Sequence, residues 1–400
     1  MKICLLTDGF LECTLPLARH LSLSGEDVEV INVSTVQYPN LAFFNLPATP
    51  KPKTGFYPEH RLKALMNKNL QEYISPFRFS VYINVPSAKK TVYNFYLACK
   101  LARYIKRQQF DVVNLIHGQN MFFIYIFFLL KNVPKVQSLH EVGFHDGIIQ
   151  PKRKLLFFQL FNSKAQIITH SRKLCAQLLD IVALKKPAKK DDCHMVRFGL
   201  AEPNLCYGDD DVQEEFPTVL QFGYISKYKG VEDSVKMFHL LKERIPDLRL
   251  IIAGAGKLPF EMKEVEGEER ITIINRNLSN DEIVNLNKRC TAVICPYKSA
   301  SQSGIPMVSF LFNTPVIATD VGAFHEVIDN NVNGMLVPAG DLQALCDAVY
   351  KLITEEEFRM QLKRNISHIK NNAEFSWTDI AENTKNVYLR AIFKYRSQHV

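Results

Sequence analysis

The stretch Phe222-Gly223-Tyr224-Ile225-Ser226-Lys227-Tyr228-Lys229-Gly230 joins a short apolar run, Thr218 to Phe222, to a helical pattern that opens at Val231. A glycine at a strand end lets backbone approach a ligand, and a lysine beside a helix start adds a point charge to amides still free to donate. That combination suits a phosphate or diphosphate, although a plain crossover with solvated lysines would carry the same residue types. A second loop, Pro296-Tyr297-Lys298-Ser299-Ala300-Ser301-Gln302-Ser303-Gly304, follows the run Ala292 to Cys295 and places small polar residues at a helix start. Gln302, Ser303 and Gly304 are its candidate anion contacts, Ser303 alone reading as a helix cap. A third loop runs from Pro315 through the turn at Gly322 to Glu326, which it carries toward the same sheet edge.

The first half of the chain offers Ser138-Leu139-His140-Glu141-Val142-Gly143-Phe144-His145-Asp146-Gly147 after a predicted strand. Two histidines, two acids and two glycines leaving one strand end form a functional constellation, with His140, Glu141 and His145 as its candidates. Zinc is not expected, because a third ligand is not evident and the histidines stand five apart in a loop. Asp8 and Gly9 leave the first strand in the same way. Gly254-Ala255-Gly256 imitates the start of a dinucleotide fingerprint, but Lys257-Leu258-Pro259 follows where the third glycine and the helix should be.

Parallel strands covered on both faces are needed to bring these loops to one edge, and the hydrophobic pattern supplies them. Short apolar runs alternate with helical spacing from Lys2 to Val33, from Phe110 to Thr169, and from Thr218 to about 353. Residues 36–108 break into proline-punctuated pieces without a clear period. Gly199 to Pro217, with two prolines and Asp209-Asp210-Asp211, reads as a linker between domains. The expected organisation is α/β, with an N-terminal Rossmann-like domain at 1–205 and a C-terminal one at 206–380. A last helix at about 381–400 packs back on the first domain.

The chain has 400 residues, 47% hydrophobic and 22% charged, which excludes disordered, collagen-like and disulfide-scaffold classes. Its longest apolar run, Met121 to Leu130, is too short to span a bilayer. No basic-then-apolar leader opens it, and its nine cysteines include no CxxC pair, so the expected compartment is the cytoplasm. The net charge of +8 is uneven. Residues 1–205 carry 27 Lys and Arg against 14 Asp and Glu, while residues 206–400 carry 22 against 27. The excess concentrates in 51–107, where 12 basic residues face only Glu59 and Glu72 and interleave with aromatics. A solvated helix face and a patch attracted to anionic membrane are the competing readings; nucleic acid is excluded because no nucleic-acid motif accompanies the charge.

Taken together, the loops resemble the group-1 (family 4) retaining glycosyltransferases, whose GT-B fold sets two Rossmann-like doubly wound domains facing a cleft. The resemblance rests on Gly223…Lys229-Gly230, Leu250 to Gly256, Pro296-Tyr297…Gln302-Ser303-Gly304, Pro315 to Glu326, and Asn333-Gly334-Met335-Leu336-Val337-Pro338. The Phe375-Ser376-Trp377 step before the last helix belongs to the same pattern. It implies a nucleotide-sugar donor, UDP- or GDP-linked, on the C-terminal domain and a glycan or lipid-linked acceptor on the N-terminal one. Lys229 would match the diphosphate-binding lysine, and His140 the histidine that contacts the donor sugar. Transfer would proceed with retention and without metal or other cofactor, in surface polysaccharide or glycolipid synthesis. The chain departs from the family at Ala300 and Val308, where paired glutamates are usual, and at Tyr224, where an arginine is common and Lys227 is the substitute cation. A catalytically silent, transferase-like scaffold subunit is the alternative these departures raise.

Overall fold

The computed structural model describes residues 1–35, 40–41, 43–45, 53–85, 91–118, 120–141, 151–259, 265–369 and 375–397. The chain divides into two compact units, Met1–Gly199 with Ser376–Val400, and Leu200–Phe375.

Unit 1 contains β1 (Lys2–Thr7), β2 (Asp27–Thr35), a hairpin of β3 (Asn40–Leu41) and β4 (Phe44–Asn45), β5 (Gly55–Phe56), β6 (Arg78–Asn84), β7 (Val112–Ile116), β8 (Lys135–Leu139), β9 (Gln166–Thr169) and β10 (Cys193–Met195). Its main sheet runs β10-β9-β8-β7-β1-β2-β6-β5, parallel throughout except for the β5–β6 pair. Every residue of β7, β8 and β9 is buried, as expected for strands covered on both faces. The strand order reverses between β1 and β7, so the crevice beyond their carboxyl ends is the natural ligand position.

Unit 2 contains β11 (Thr218–Phe222), β12 (Arg249–Ala253), β13 (Ile271–Ile274), β14 (Ala292–Cys295), β15 (Val316–Thr319) and β16 (Gly334–Val337), all parallel in the order β13-β12-β11-β14-β15-β16. Its reversal lies between β11 and β14, the two strands that lead into the loops at Gly223 and Pro296. Helix 280–289 is set by a capping box, Ser279 and Glu282 each accepting the other's backbone N–H. Helix 342–354 buries Leu345, Cys346, Ala348, Val349, Leu352 and Ile353 on one face.

Both expected domain boundaries shift. Leu200 and Ala201 belong to the core of unit 2, so unit 1 closes at Gly199 instead of 205. The return to unit 1 begins at Ser376, five residues before the expected helix at 381, because Trp377, Ile380 and Ala381 are already buried in helix 377–396. That helix is tied to the sheet by Asn114, whose Nδ2 donates to the Tyr388 hydroxyl at 2.8 Å while its Oδ1 accepts from Ser138 at 3.0 Å. Nor is 199–217 a free linker. Gly208 N–H donates to Asp281, and Asp209 both accepts from and donates to Asn285, which clamps the segment on helix 280–289.

The poorly patterned region 36–108 holds β6 and a 17-residue helix, Thr91–Arg107, that buries Leu97, Ala98, Leu101, Ala102 and Ile105. Lys51, Lys89 and Lys90 of the basic segment lie outside the described residues. All nine cysteines are free thiols. Among the described residues no helix is long and apolar enough to cross a membrane.

Candidate functional site

In unit 2 the loop after β11 is shaped by glycines that no other residue could replace without displacement. Gly223, at φ +98°, lies so close to Lys229 that a Cβ there would sit 3.1 Å from the Lys229 Nζ. Gly230, at φ +65°, packs against the second loop, and a Cβ on it would stand 1.9 Å from the Pro296 carbonyl oxygen. The two loops are also joined by Lys298 N–H donating to the Tyr228 carbonyl at 2.7 Å. A third approach follows at Gly322, φ +66°, where a Cβ would meet the Ala300 carbonyl oxygen at 2.4 Å. Thr319 Oγ1 completes the set by donating to the Tyr297 carbonyl at 2.6 Å. The three loops picked out by residue type are therefore held together by backbone contacts at one sheet edge.

Lys229 is the charge in this edge. It is half-buried, in the turn Lys227–Lys229, with its Nζ 5.4 Å from the centre of the Tyr297 ring. Burial lowers its pKa, and the nearby Cys295 thiol opposes that shift. Its backbone carbonyl accepts from Gln221 Nε2 at 2.8 Å, and Gln221 Oε1 in turn accepts from Ser234, so the turn is fixed from below. Among the described residues no carboxylate is paired with the Lys229 ammonium. Lys298, by contrast, is paired with Glu232 at 2.9 Å. A half-buried cation without a counterion, beside a bare stretch of backbone, is chemically suited to an anion.

The other predicted donor residues divide. Lys227 is exposed in the same turn. Ser303 accepts from Ile305 N–H at 3.3 Å and hydrogen-bonds Tyr297, so it braces that ring, while the N-cap of the helix is Gly304 and not Ser303. Gln302 precedes it, and Gly304 is exposed at the start of the short helix Ile305–Ser309. Glu326 stands in the turn Phe324–Glu326 after β15, half-buried. Tyr297, quoted in the sequence as part of its loop but not singled out as a site residue, is buried, edge-on to Tyr228 and to Phe324, and forms the floor beneath Lys229. Gly254 and Gly256 have a different purpose from a dinucleotide fingerprint. Cβ atoms there would sit 2.0 Å from the Gly223 carbonyl oxygen and 2.1 Å from that of Ile225, so both glycines let the β11 loop lie on β12. No helix begins at 254–259.

In unit 1 the carboxyl edge is built differently. His117, His140 and His170 each follow the last residue of a strand, β7, β8 and β9 respectively. With Phe10 and Phe198 they form one cluster of rings, stacked on Phe198 and tilted against Phe10. Phe10 lies 3.8 Å from His140 and 4.7 Å from His117 between ring centres, and Phe198 lies 3.8 Å from His170 and 4.9 Å from His140. Burial and the two neighbouring imidazoles hold His140 well below its ordinary pKa, and burial pushes His170 down to about 4. Both rings are neutral at pH 7. The His170 Nδ1 lies 2.8 Å from the Val196 carbonyl oxygen, while His140 Nε2, His170 Nε2 and His117 Nδ1 are buried without a partner among the described residues. Such a surface can stack on an apolar ring face and exchange hydrogen bonds with hydroxyls.

Asp8 anchors this edge. Its Oδ1 accepts from Gly118 N–H at 3.0 Å and its Oδ2 from Asn120 Nδ2 at 2.8 Å, while burial raises its pKa against those contacts and His117. Gly9 leads from it into Phe10, which adopts the left-handed conformation at φ 55°. Glu141 follows His140 and is half-buried, and His145 lies outside the described residues. The missed residues His117 and His170 carried a readable signal, because each directly follows an apolar strand, as His140 does. Among the described residues no group of three His, Cys, Asp or Glu side chains is placed to hold a metal ion.

Two family models match the chain in succession. One, described as Glycosyltransferase Family 4, covers residues 12–187, and the other, Glycosyl transferases group 1, covers residues 209–368. An uncharacterized glycosyltransferase of Methanocaldococcus jannaschii is 23% identical over 302 residues, 70% of this chain and 75% of that protein. The alpha-maltose-1-phosphate synthase of Mycolicibacterium smegmatis is 27% identical over 300 residues, 65% of this chain and 74% of its own length. Among solved structures, Anabaena HepE in complex with UDP and glucose superposes with a TM-score of 0.64 at 16% identity, covering 96% of this chain and 99% of that one. Sucrose-phosphate synthase from Thermosynechococcus elongatus superposes at 0.65 and 14% identity, covering 97% and 98%. The chain belongs to the group 1 glycosyltransferases of the GT-B fold.

Proposed function

We propose that the chain transfers a hexosyl-type sugar from a nucleotide diphosphate donor, UDP- or GDP-linked, to a glycan or lipid-linked acceptor, with retention of configuration and without metal. The observation that carries this reading is the unpaired, half-buried Lys229 ammonium set against Gly223 at the strand-order reversal of unit 2. The complex of HepE with UDP and glucose supports a nucleotide-sugar donor. Negative charge grows on the diphosphate as the sugar–phosphate bond lengthens, and a fixed cation in a partly dry site stabilises that charge most in the transition state. Lys229 is assigned this task, assisted by Gly223, Lys227, Gln302, Ser303 and Gly304, with Glu326 toward the donor sugar. His140, held neutral, is assigned a hydrogen bond to the sugar near the reacting carbon. Attack from the leaving-group side, with the departing phosphate taking the acceptor proton, accounts for retention without a protein base.

Asp8, Gly9, Glu141 and His145 are proposed to frame the acceptor side. The setting is surface polysaccharide or glycolipid synthesis in the cytoplasm, on the inner membrane face. Helix 91–107 supports that location, because it exposes Val92, Tyr93, Phe95 and Tyr96 beside Lys100, Arg103, Lys106 and Arg107. Flotation with anionic vesicles tests it, and a Lys100→Ala/Arg103→Ala/Arg107→Ala variant that floats unchanged would contradict it. A scaffold subunit is the second reading, favoured by Ala300 and Val308 where a carboxylate pair would grip the donor. Release of nucleotide from a panel of UDP- and GDP-sugars separates the two. The enzyme reading expects release from one donor class, unaffected by EDTA and reduced about 10²–10³-fold in Lys229→Ala. No release from any donor, with no nucleotide bound, gives the scaffold reading.

A further inference from the structure

At the opposite end of β8 and β9 from the histidine cluster, unit 1 contains a cavity of about 450 Å³, within the range of small-molecule sites. Its wall is aromatic on one side, with Phe127, Phe128 and Phe158, and its polar lining includes Lys131, Lys135 and Lys164. No acidic side chain is among the lining residues. Phe128 and Phe158 are 63% and 64% exposed, so the apolar part of the cavity opens at the surface.

Lys135 is unusual in this setting because it is only 6% exposed. Its Nζ donates to the carbonyls of Leu130 at 2.6 Å and Val133 at 3.1 Å and lies 5.2 Å from the centre of the Phe127 ring. An ammonium has three protons, and those two carbonyls take two of them. Burial, and after it the charge of Lys106, lower its pKa to about 8. Lys164 Nζ lies 5.1 Å from the centre of the Tyr395 ring, which also lines the cavity. A buried ammonium is costly without a counterion, and among the described residues none of those lining the cavity is acidic. Gln159 also lines the cavity, and among the described residues its buried Oε1 has no hydrogen-bond partner and calls for a donor.

We propose that this cavity binds an organic phosphate that carries a hydroxyl and an apolar chain, the chemistry of an anionic lipid headgroup. The lysines take the phosphate oxygens, Gln159 accepts from the hydroxyl, and the chain leaves over Phe128 and Phe158. This assignment rests on the reading of unit 1 as the membrane-facing unit, yet it is tested with monomeric lipid and no membrane. Calorimetric titration of the full chain would compare dihexanoyl phosphatidylglycerol below its micelle threshold, glycerol 3-phosphate, and dihexanoyl phosphatidylcholine. The expected result is binding of phosphatidylglycerol at least tenfold tighter than either of the others. The rim variant Lys131→Ala/Lys164→Ala should weaken it about tenfold and leave UDP affinity unchanged. Lys135→Met should abolish it, and the rim variant serves if that substitution prevents folding. Glycerol phosphate binding as tightly as the lipid would overturn the apolar part and assign a free phosphate ester. No binding of the three compounds, equal binding of all three, or an unaltered affinity in the rim variant would overturn the site. A failure here leaves nucleotide release intact, and failure of nucleotide release leaves lipid binding intact, so the two proposals fall separately.

Discussion

The two units place their candidate sites at the same topological position and build them from opposite materials. At the β11–β14 reversal the edge consists of backbone brought close by Gly223, Gly230 and Gly322, with Lys229 as a half-buried cation that no carboxylate among the described residues pairs. At the corresponding edge of unit 1 the material is side chain, three imidazoles and two phenyl rings, with His140 and His170 neutral at pH 7. Bare amides and a cation suit an anion. Neutral rings with unpartnered nitrogens suit a hydroxylated, uncharged ring. One fold plan thus yields two complementary chemistries, because loops after parallel strands can be varied without disturbing the core.

The comparison can be broken most sharply on the neutral side. His170 is held at about 4 while its unfolded value is near 6.5, so the unfolded chain binds more protons between those pH values. Stability from this group is complete above pH 6.5 and is lost as pH falls toward 4, by about 3 kcal/mol in total. Urea unfolding at a series of pH values should show that decline, and His170→Asn, which keeps a donor toward Val196, should flatten it. A charged cluster in the folded protein would show no such loss.

On the backbone side the decisive position is Gly230. Gly230→Ala places a methyl against the Pro296 carbonyl in a left-handed conformation, and a loss of about 2–3 kcal/mol is expected in chemical denaturation. An unchanged midpoint would show that the two loops are not pressed together. The smallest effect belongs to Lys298, which is exposed and already paired with Glu232. Lys298→Ala should cost less than about 1 kcal/mol and leave nucleotide release unchanged, which would separate a surface ion pair from the unpaired Lys229.

Much of unit 2 was legible in the sequence because its signals are local. Gly223, Lys229 and the Pro296–Gly304 loop sit at the ends of short apolar strands, and their convergence follows from parallel order alone. Tyr297 was hidden, since one aromatic in a loop does not reveal that it will form a floor. The purpose of Gly254 and Gly256 was equally hidden, because it depends on the backbone of another loop. In unit 1 the strand-end histidines were readable as a set only once β7, β8 and β9 were known to be neighbours. Helix 91–107 escaped notice because Val92, Tyr93, Phe95 and Tyr96 are apolar yet exposed, which erases the one-sided pattern that Leu97 to Ile105 would otherwise display. The domain boundaries moved for a similar reason, as Leu200 and Trp377 are anchored by tertiary contacts that spacing does not encode.

The central claim is that Lys229 and its glycine loop form the nucleotide diphosphate site, while His140 acts on the sugar. Calorimetric titration of UDP, GDP and ADP against the unaltered chain, Lys229→Ala and His140→Ala tests it directly. The account predicts that one nucleotide is preferred, that Lys229→Ala weakens it by at least a hundredfold, and that His140→Ala changes it less than threefold. Equal affinity in Lys229→Ala and the unaltered chain, or loss in His140→Ala with Lys229→Ala unaffected, would contradict it.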